Sequence, residues 1–137
     1  MTIRAATEAD YPAIARIQAS CPEAAQWPVG DYSGFQTLLA VTEAGSAGFC
    51  AWRQTAPDEA ELLNLGVAPA SRRQGVAEAL LRALCGAASG DIFLEVAEPN
   101  FPAIALYCKL GWEPVAIRKG YYEAGRVNAV VMKKRSW

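Results

Sequence analysis

Two features of this chain combine residue types and spacings that can do chemistry. The first is Arg73-Gln74-Gly75-Val76-Ala77. It lies between Leu62-Leu63-Asn64-Leu65-Gly66-Val67, which reads as a buried strand, and Ala77–Leu84, whose apolar spacing reads as a helix. Glycine keeps a side chain away from the turn, and the first N–H groups of a helix have no partner inside it. With the positive end of the helix dipole, those groups can hold a phosphate or pyrophosphate. The second feature is Glu95, an acid inside the apolar run Ile92-Phe93-Leu94-Glu95-Val96. Alternation alone permits an outward-facing strand residue there. A carboxylate so placed can equally serve as a general base, directly or through water.

The composition removes other chemistries. With no histidine, the chain can form no Ser–His or Cys–His pair and no histidine-ligated metal site. Cys21, Cys50, Cys85 and Cys108 lie far apart and form no C-x-x-C pair. They are expected as reduced, buried thiols that pack as small hydrophobes, and no metal is expected. Thirteen basic and 14 acidic residues give a formal net charge of −1. That balance argues against nucleic acid as a partner, which requires a basic footprint. It leaves room for a small anion held by a few local donors. The chain has neither G-x-x-x-x-G-K-[ST] nor a complete G-x-G-x-x-G. Nothing before Asp10 has the pattern of a secretory signal, and no apolar run is long enough to span a bilayer, so a cytoplasmic, reducing setting is expected.

The elements that must position these residues can be read in order. Thr2–Ala6 forms a short strand, and Thr7 caps a helix with Asp10 at the capping-box position. Tyr11, Ile14 and Ile17 then recur at helical spacing until Cys21-Pro22. Pro22–Gly34 reads as a loop with one short helical turn. Thr37–Thr42 and Gly48–Arg53 are strands joined through Ala44-Gly45-Ser46, and Pro57-Asp58 turns the chain into a strand at Glu61–Val67. Ala77–Ala87 is a helix, Asp91–Val96 a strand, and Ala103–Leu110 a helix with Pro102 in its first turn and Gly111 at its end. Glu113–Arg118 and Asn128–Lys133 close the sheet as an antiparallel pair. With 137 residues and a hydrophobic fraction of 53%, the chain is expected to form one domain over residues 1–137. The element order implies a mixed α/β sheet with helices on both faces.

Three blocks, in this order, carry a resemblance. They are Asn64-Leu65-Gly66-Val67 with Arg73-Gln74-Gly75-Val76-Ala77; Phe93-Leu94-Glu95-Val96 with Asn100; and Ala103-Ile104-Ala105-Leu106-Tyr107 with Leu110-Gly111-Trp112. Arg118-Lys119-Gly120-Tyr121-Tyr122 adds a weaker fourth. Together they resemble the GNAT N-acetyltransferases, and within them the RimI-like enzymes that acetylate protein N-termini.

That resemblance implies the GNAT fold and acetyl-coenzyme A as cosubstrate. It assigns Arg73, Gln74, Gly75, Val76, Ala77 and Glu78 to the coenzyme A pyrophosphate. Many relatives have glycine where Ala77 stands, and RimI-like chains often have a basic residue where Glu78 stands. Leu65, Gly66 and Val67 would form a bulged strand whose backbone pairs with the pantetheine arm, with the Val67 N–H polarising the thioester carbonyl. Asn100 matches a residue that hydrogen-bonds the cofactor, although it can equally be only a cap. Tyr107 would protonate the departing thiolate, with a core aromatic as the alternative. Glu95 would take the proton of the attacking amine, and Tyr121 and Tyr122 would line the acceptor site. Arg126-Val127-Asn128 replaces an acidic pair common in relatives with peptide substrates. The implied acceptor is the α-amine of a protein or peptide. A small-molecule amine, or a non-catalytic acyl-coenzyme A-binding module, is the alternative. A monomer or homodimer without membrane contact is expected.

Overall fold

The computed structural model describes residues 1–122 and 125–135. In chain order the elements are β1 (Thr2–Ala5), α1 (Tyr11–Ala19), β2 (Gln36–Thr42), β3 (Gly45–Ala56), β4 (Glu59–Val67), α2 (Val76–Ala87), β5 (Asp91–Ala97), α3 (Phe101–Lys109), β6 (Glu113–Tyr122) and β7 (Val127–Lys134). Short 3₁₀ turns occupy Glu8–Asp10, Val29–Gly34 and Pro69–Ser71. The strands are ordered β1-β2-β3-β4-β5-β7-β6 in a seven-stranded sheet. β4 and β5 pair parallel, while the β1–β2, β2–β3, β5–β7 and β6–β7 pairs are antiparallel. This is the expected mixed α/β architecture. Two compact units divide the chain, one of Met1–Arg53 with Leu63–Ala87 and one of Gln54–Leu62 with Ala88–Trp137.

In the first unit, the start of α1 is fixed by charge. Arg4 grips the Asp10 carboxylate through two hydrogen bonds of 2.8 Å, and the Thr7 N–H donates to the same carboxylate at 2.8 Å. These donors hold the Asp10 carboxyl well below the usual carboxylate range, the Arg4 hydrogen bond contributing most. The core packs Ile14 and Ile17 of α1 with Cys21, Tyr32, Leu39, Phe49 and Ala51. In α2, Val76, Leu80, Leu81 and Leu84 form the buried face at helical spacing. Asn64 of β4 pins the loop expected at Pro22–Gly34. Its Oδ1 accepts from the Ala25 N–H at 3.1 Å and its Nδ2 donates to the Ala25 carbonyl at 2.9 Å. Nδ2 also donates to the Tyr32 hydroxyl, which in turn donates to Gln18.

The second unit is built on β5. Ile92, Leu94 and Val96 are buried, and the residues between them are half-buried. β5 pairs with β7 from Ile92↔Lys134 through Ala97↔Ala129. Its parallel ladder with β4 is shorter, running only from Glu59↔Asp91 to Glu61↔Phe93. Trp112 is fully enclosed and donates its indole N–H to the Ile92 carbonyl at 3.1 Å.

Several boundaries differ from expectation. α3 begins at Phe101 because Asn100 supplies the cap, two residues before the expected start. β6 runs on to Tyr122, so the tyrosine pair lies within a strand. The expectation of four buried thiols also fails. Cys21 and Cys50 are buried, Cys85 is half-buried and Cys108 is exposed. Cys108 sits on α3, a surface helix of which only Tyr107 is buried. Among the described residues, no helix is long and apolar enough to cross a membrane.

Candidate active site

The turn from β4 to α2 lies wholly in the first unit. Arg72 is extended, Arg73 turns left-handed at φ +63°, Gly75 is left-handed at φ +78°, and α2 begins at Val76. A non-glycine residue at positive φ is strained by about 1 kcal/mol or more and persists only where its surroundings demand it. Left-handed residues interleaved with other conformations turn successive N–H groups toward one concavity, which suits an anion. A Cβ on Gly75 would meet nothing within 4 Å, so the dihedral angle, not crowding, calls for glycine. Ala79 makes the helical bond back to the Gly75 carbonyl at 3.0 Å. The N–H groups of Val76 and Ala77 precede that bond, at the helix start where the backbone N–H has no i−4 carbonyl inside the helix. The Glu78 carboxylate lies 3.8 Å from Arg82 of the next helical turn.

Leu65, Gly66 and Val67 form the end of β4. Burial alternates without a break from Glu59 to Val67, so the expected bulge leaves no mark on the side-chain pattern. Gly66 faces inward, where a Cβ would come within 2.8 Å of the Phe49 ring. Core packing therefore accounts for this glycine.

Glu95 lies on the half-buried face of β5, with its side chain 25% exposed. Its carboxylate accepts from Arg118 Nη1 at 3.1 and 3.4 Å. The Arg118 guanidinium also stacks 4.0 Å from the centre of the Tyr121 ring. Tyr121 and Tyr122 meet edge to face, with centroids 4.8 Å apart. The Tyr122 hydroxyl lies 3.5 Å from the Glu95 carbonyl oxygen. Burial raises the Tyr122 phenol above its ordinary range, and the neighbouring Tyr121 and Glu95 add to the effect. The structure thus joins three of the expected residues, Glu95, Tyr121 and Tyr122, and adds Arg118. Sequence reasoning gave Arg118 no partner because β7 lies between β5 and β6. Arg118 pairs with Ala129 of β7, and Glu95 with Val131, so the long side chain reaches across a strand bearing small residues. A shallow cavity of about 230 Å³ adjoins Glu95, with Glu59, Glu61, Phe93 and Val131 among its lining residues.

Two other expected residues have structural engagements of their own. Asn100 caps α3, its side-chain oxygen accepting from the Ala103 N–H at 3.4 Å. Tyr107 is buried, and its ring meets Trp112 edge to face with centroids 5.9 Å apart. Asn128 accepts from the Gly120 N–H at 3.0 Å and so shapes the β6–β7 hairpin.

The two units thus hold different chemistries. The first offers a backbone cradle for an anion, with a strand edge beside it in sequence. The second offers a carboxylate within an aromatic and cationic cluster.

Comparison with known proteins identifies the family. Residues 5–112 match the family described as "Acetyltransferase (GNAT) family". The chain is 36% identical over 96 residues to the N-alpha-acetyltransferase RimI of Mycobacterium tuberculosis, covering 69% of this chain and 61% of that protein. It is 37% identical over 107 residues to the [ribosomal protein bS18]-alanine N-acetyltransferase of Escherichia coli K12, covering 74% of this chain and 70% of the relative. Against an uncharacterized Mycobacterium leprae protein it is 40% identical over 106 residues but spans only 29% of that protein's length. The crystal structure of the Escherichia coli ribosomal-protein-S18-alanine N-acetyltransferase superposes with a TM-score of 0.84 at 29% identity, covering 98% of this chain and 92% of that one. The chain belongs to the acetyltransferase (GNAT) family.

Proposed function

We propose that this chain, acting as one domain over residues 1–137, transfers the acetyl group of acetyl-coenzyme A to the N-terminal α-amine of a protein or peptide in the cytoplasm. The observation that carries this reading is the strand–turn–helix at Val67–Ala79, where left-handed Arg73 and Gly75 lead into the first turn of α2. That donor set suits a diphosphate without requiring a side-chain cation. The α-amine reading draws on the two relatives whose names specify N-alpha or alanine acetylation. The tyrosine pair beside Glu95 and the free thiols fit a peptide acceptor and a reducing compartment.

Acetyl-coenzyme A supplies an activated acyl group as a thioester. In this reading Arg73, Gln74, Gly75, Val76, Ala77 and Glu78 hold its pyrophosphate through the backbone. Leu65, Gly66 and Val67 present a strand edge to the pantetheine arm, and the Val67 N–H donates to the thioester carbonyl oxygen. Asn100 lends its side-chain amide to the cofactor. Glu95 accepts the proton that the attacking amine must lose, and Tyr107 returns one to the departing thiolate. Tyr121 and Tyr122 seat the acceptor. An α-amine has a pKa of about 8, against about 10.4 for lysine, so far more of it is neutral near pH 7.

The test is incubation with acetyl-coenzyme A and a peptide carrying both a free N-terminus and a lysine, with spermidine and an aminoglycoside in parallel. Thiol release and mass spectrometry are the readouts. Acetylation at the α-amine is expected. Modification of lysine alone, or turnover of the small amines alone, would remove the N-terminal assignment. Absence of any turnover beside tight cofactor binding would leave only an acyl-coenzyme A-binding module.

A further inference from the structure

The carbonyl of Val67 is held in an unusual way for a strand end. The Ala68 N–H donates to the Ala47 carbonyl of β3 at 2.8 Å. Successive residues of a strand direct their backbone groups to opposite edges. The N–H and C=O of Val67 therefore point away from β3. On that edge the Val67 carbonyl accepts from the Cys21 thiol at 3.3 Å and from Arg72 Nε at 3.3 Å. The same guanidinium places Nη2 3.4 Å from the Ser20 carbonyl and 3.5 Å from the Cys21 sulfur. Its Nη2 is also 3.6 Å from the Glu23 carboxylate. Cys21 is fully buried, while the Arg72 side chain is 43% exposed.

The peptide plane between Val67 and Ala68 is thus pinned at both ends, by β3 at its N–H and by Arg72 and Cys21 at its oxygen. Pinning that plane anchors the Val67 Cα, and with the strand torsions held in the extended region it limits how far the adjoining Val67 N–H can swing. We infer that Arg72, assisted by Cys21, is a positioning residue that aims the Val67 N–H at the thioester carbonyl. The inference rests on the reading that Val67 is that donor. It separates two neighbouring arginines. Arg73 belongs to the phosphate turn, and Arg72 reaches back to the end of α1 and fixes the strand. A planar fork can donate from Nε and Nη2 to two carbonyls at once, which a lysine ammonium on a flexible stem does not reproduce.

The experiment follows the carbonyl itself. Acetyl-coenzyme A labelled with ¹³C at the acetyl carbonyl is bound to the full chain without acceptor, and its infrared stretch is compared with that of the free thioester. The wild type is expected to lower the stretching frequency, as a polarising donor must. Arg72→Leu and Arg72→Lys are expected to lose most of that shift, and Cys21→Ala part of it. Calorimetric affinity for acetyl-coenzyme A should stay within about threefold, since the phosphate turn is untouched. Turnover should fall by on the order of tenfold, short of the 10²–10³-fold loss that follows outright removal of an oxyanion donor. Retention of the wild-type shift and turnover in both arginine variants would overturn the inference. So would a tenfold loss of affinity in Arg72→Leu that Arg72→Lys restores, because Arg72 would then be a phosphate ligand. Should Arg72→Leu fail to fold, Arg72→Lys and Cys21→Ala decide the question by the same readout. A wild-type complex with no carbonyl shift would instead refute the role given to Val67, and the inference with it.

Discussion

The turn at Arg73–Gly75 and the cluster around Glu95 are built from different materials. In the turn, the proposed cradle is backbone: two left-handed residues lead into the first turn of α2. Around Glu95, side chains do it. A carboxylate, a guanidinium and two phenol rings meet from β5 and β6, strands separated by β7. A backbone cradle tolerates most substitutions that preserve its dihedral angles. A side-chain cluster fails with the loss of one functional group. The two regions should therefore respond oppositely to mutation, and that contrast can be tested.

The largest effect is expected at Glu95. Glu95→Gln keeps shape and removes the proton acceptor, so turnover should fall on the order of 10²-fold or more, the scale of general acid–base catalysis. Raising the pH should restore part of the rate, because more of the acceptor amine then arrives neutral. Cofactor affinity measured by calorimetry should not change. A variant with wild-type turnover and pH profile would show that this cluster takes no part in proton transfer, and the contrast would collapse.

The mirror-image test is at Gly75. Gly75→Asp adds a negative charge and a Cβ at φ +78°. A like charge a few ångströms from a diphosphate at a partly exposed site should weaken binding by about 2 kcal/mol, or roughly 30-fold in Kd. Gly75→Asn, which tolerates the left-handed region far better than most residues, should bind within a few-fold of wild type. If both variants bind equally badly, bulk matters as well as charge, and the cradle is less tolerant than a backbone site should be. If neither loses affinity, the turn is not the phosphate site.

This contrast in materials also governs what could be read from the sequence. The turn was legible because its parts are contiguous: apolar strand, glycine, amphipathic helix. The elements and the sheet pairing at β6–β7 followed from periodicity in the same way. The left-handed Arg73 was not legible, since arginine carries no signal for positive φ. The Arg118–Glu95 pair was hidden because the two residues are 23 positions apart and lie on strands that are not neighbours. Sequence spacing does not reveal which strand intervenes. Gly66 was read as marking a backbone bulge or a close approach. Its cause is the Phe49 ring of the neighbouring strand β3, a packing fact that periodicity within β4 does not show. The Asn64–Tyr32–Gln18 network joins residues far apart in the chain, and Asn64 within the apolar run Leu62–Val67 is the one sequence signal for it. Cys108 was misplaced because α3 is apolar in composition yet buries only Tyr107.

The smallest expected effect lies at Arg118, and it asks whether the side-chain cluster is scaffold or site. The Arg118 side chain is 56% exposed and that of Glu95 25%. An ion pair this exposed is screened, so removing it should change stability by less than about 1 kcal/mol. Arg118→Gln should accordingly leave the melting temperature within a few degrees of wild type. Its kinetic effect follows from charge. Arg118 is paired with the Glu95 carboxylate, and its charge offsets the attraction that the carboxylate would offer a protonated amine. Without it the KM for the peptide amine should fall, by up to about fivefold if the exposed pair is worth about 1 kcal/mol. The change should shrink as ionic strength rises, because the carboxylate and the incoming ammonium are then screened from each other. A melting temperature lowered by many degrees, with KM unchanged, would identify Arg118 as a strut between β5 and β6. The cluster would then resemble the first unit's Arg4–Asp10 pair, a charge contact that sets structure, and the distinction between a backbone-built cradle and a side-chain-built acceptor site would need to be redrawn around Glu95 alone.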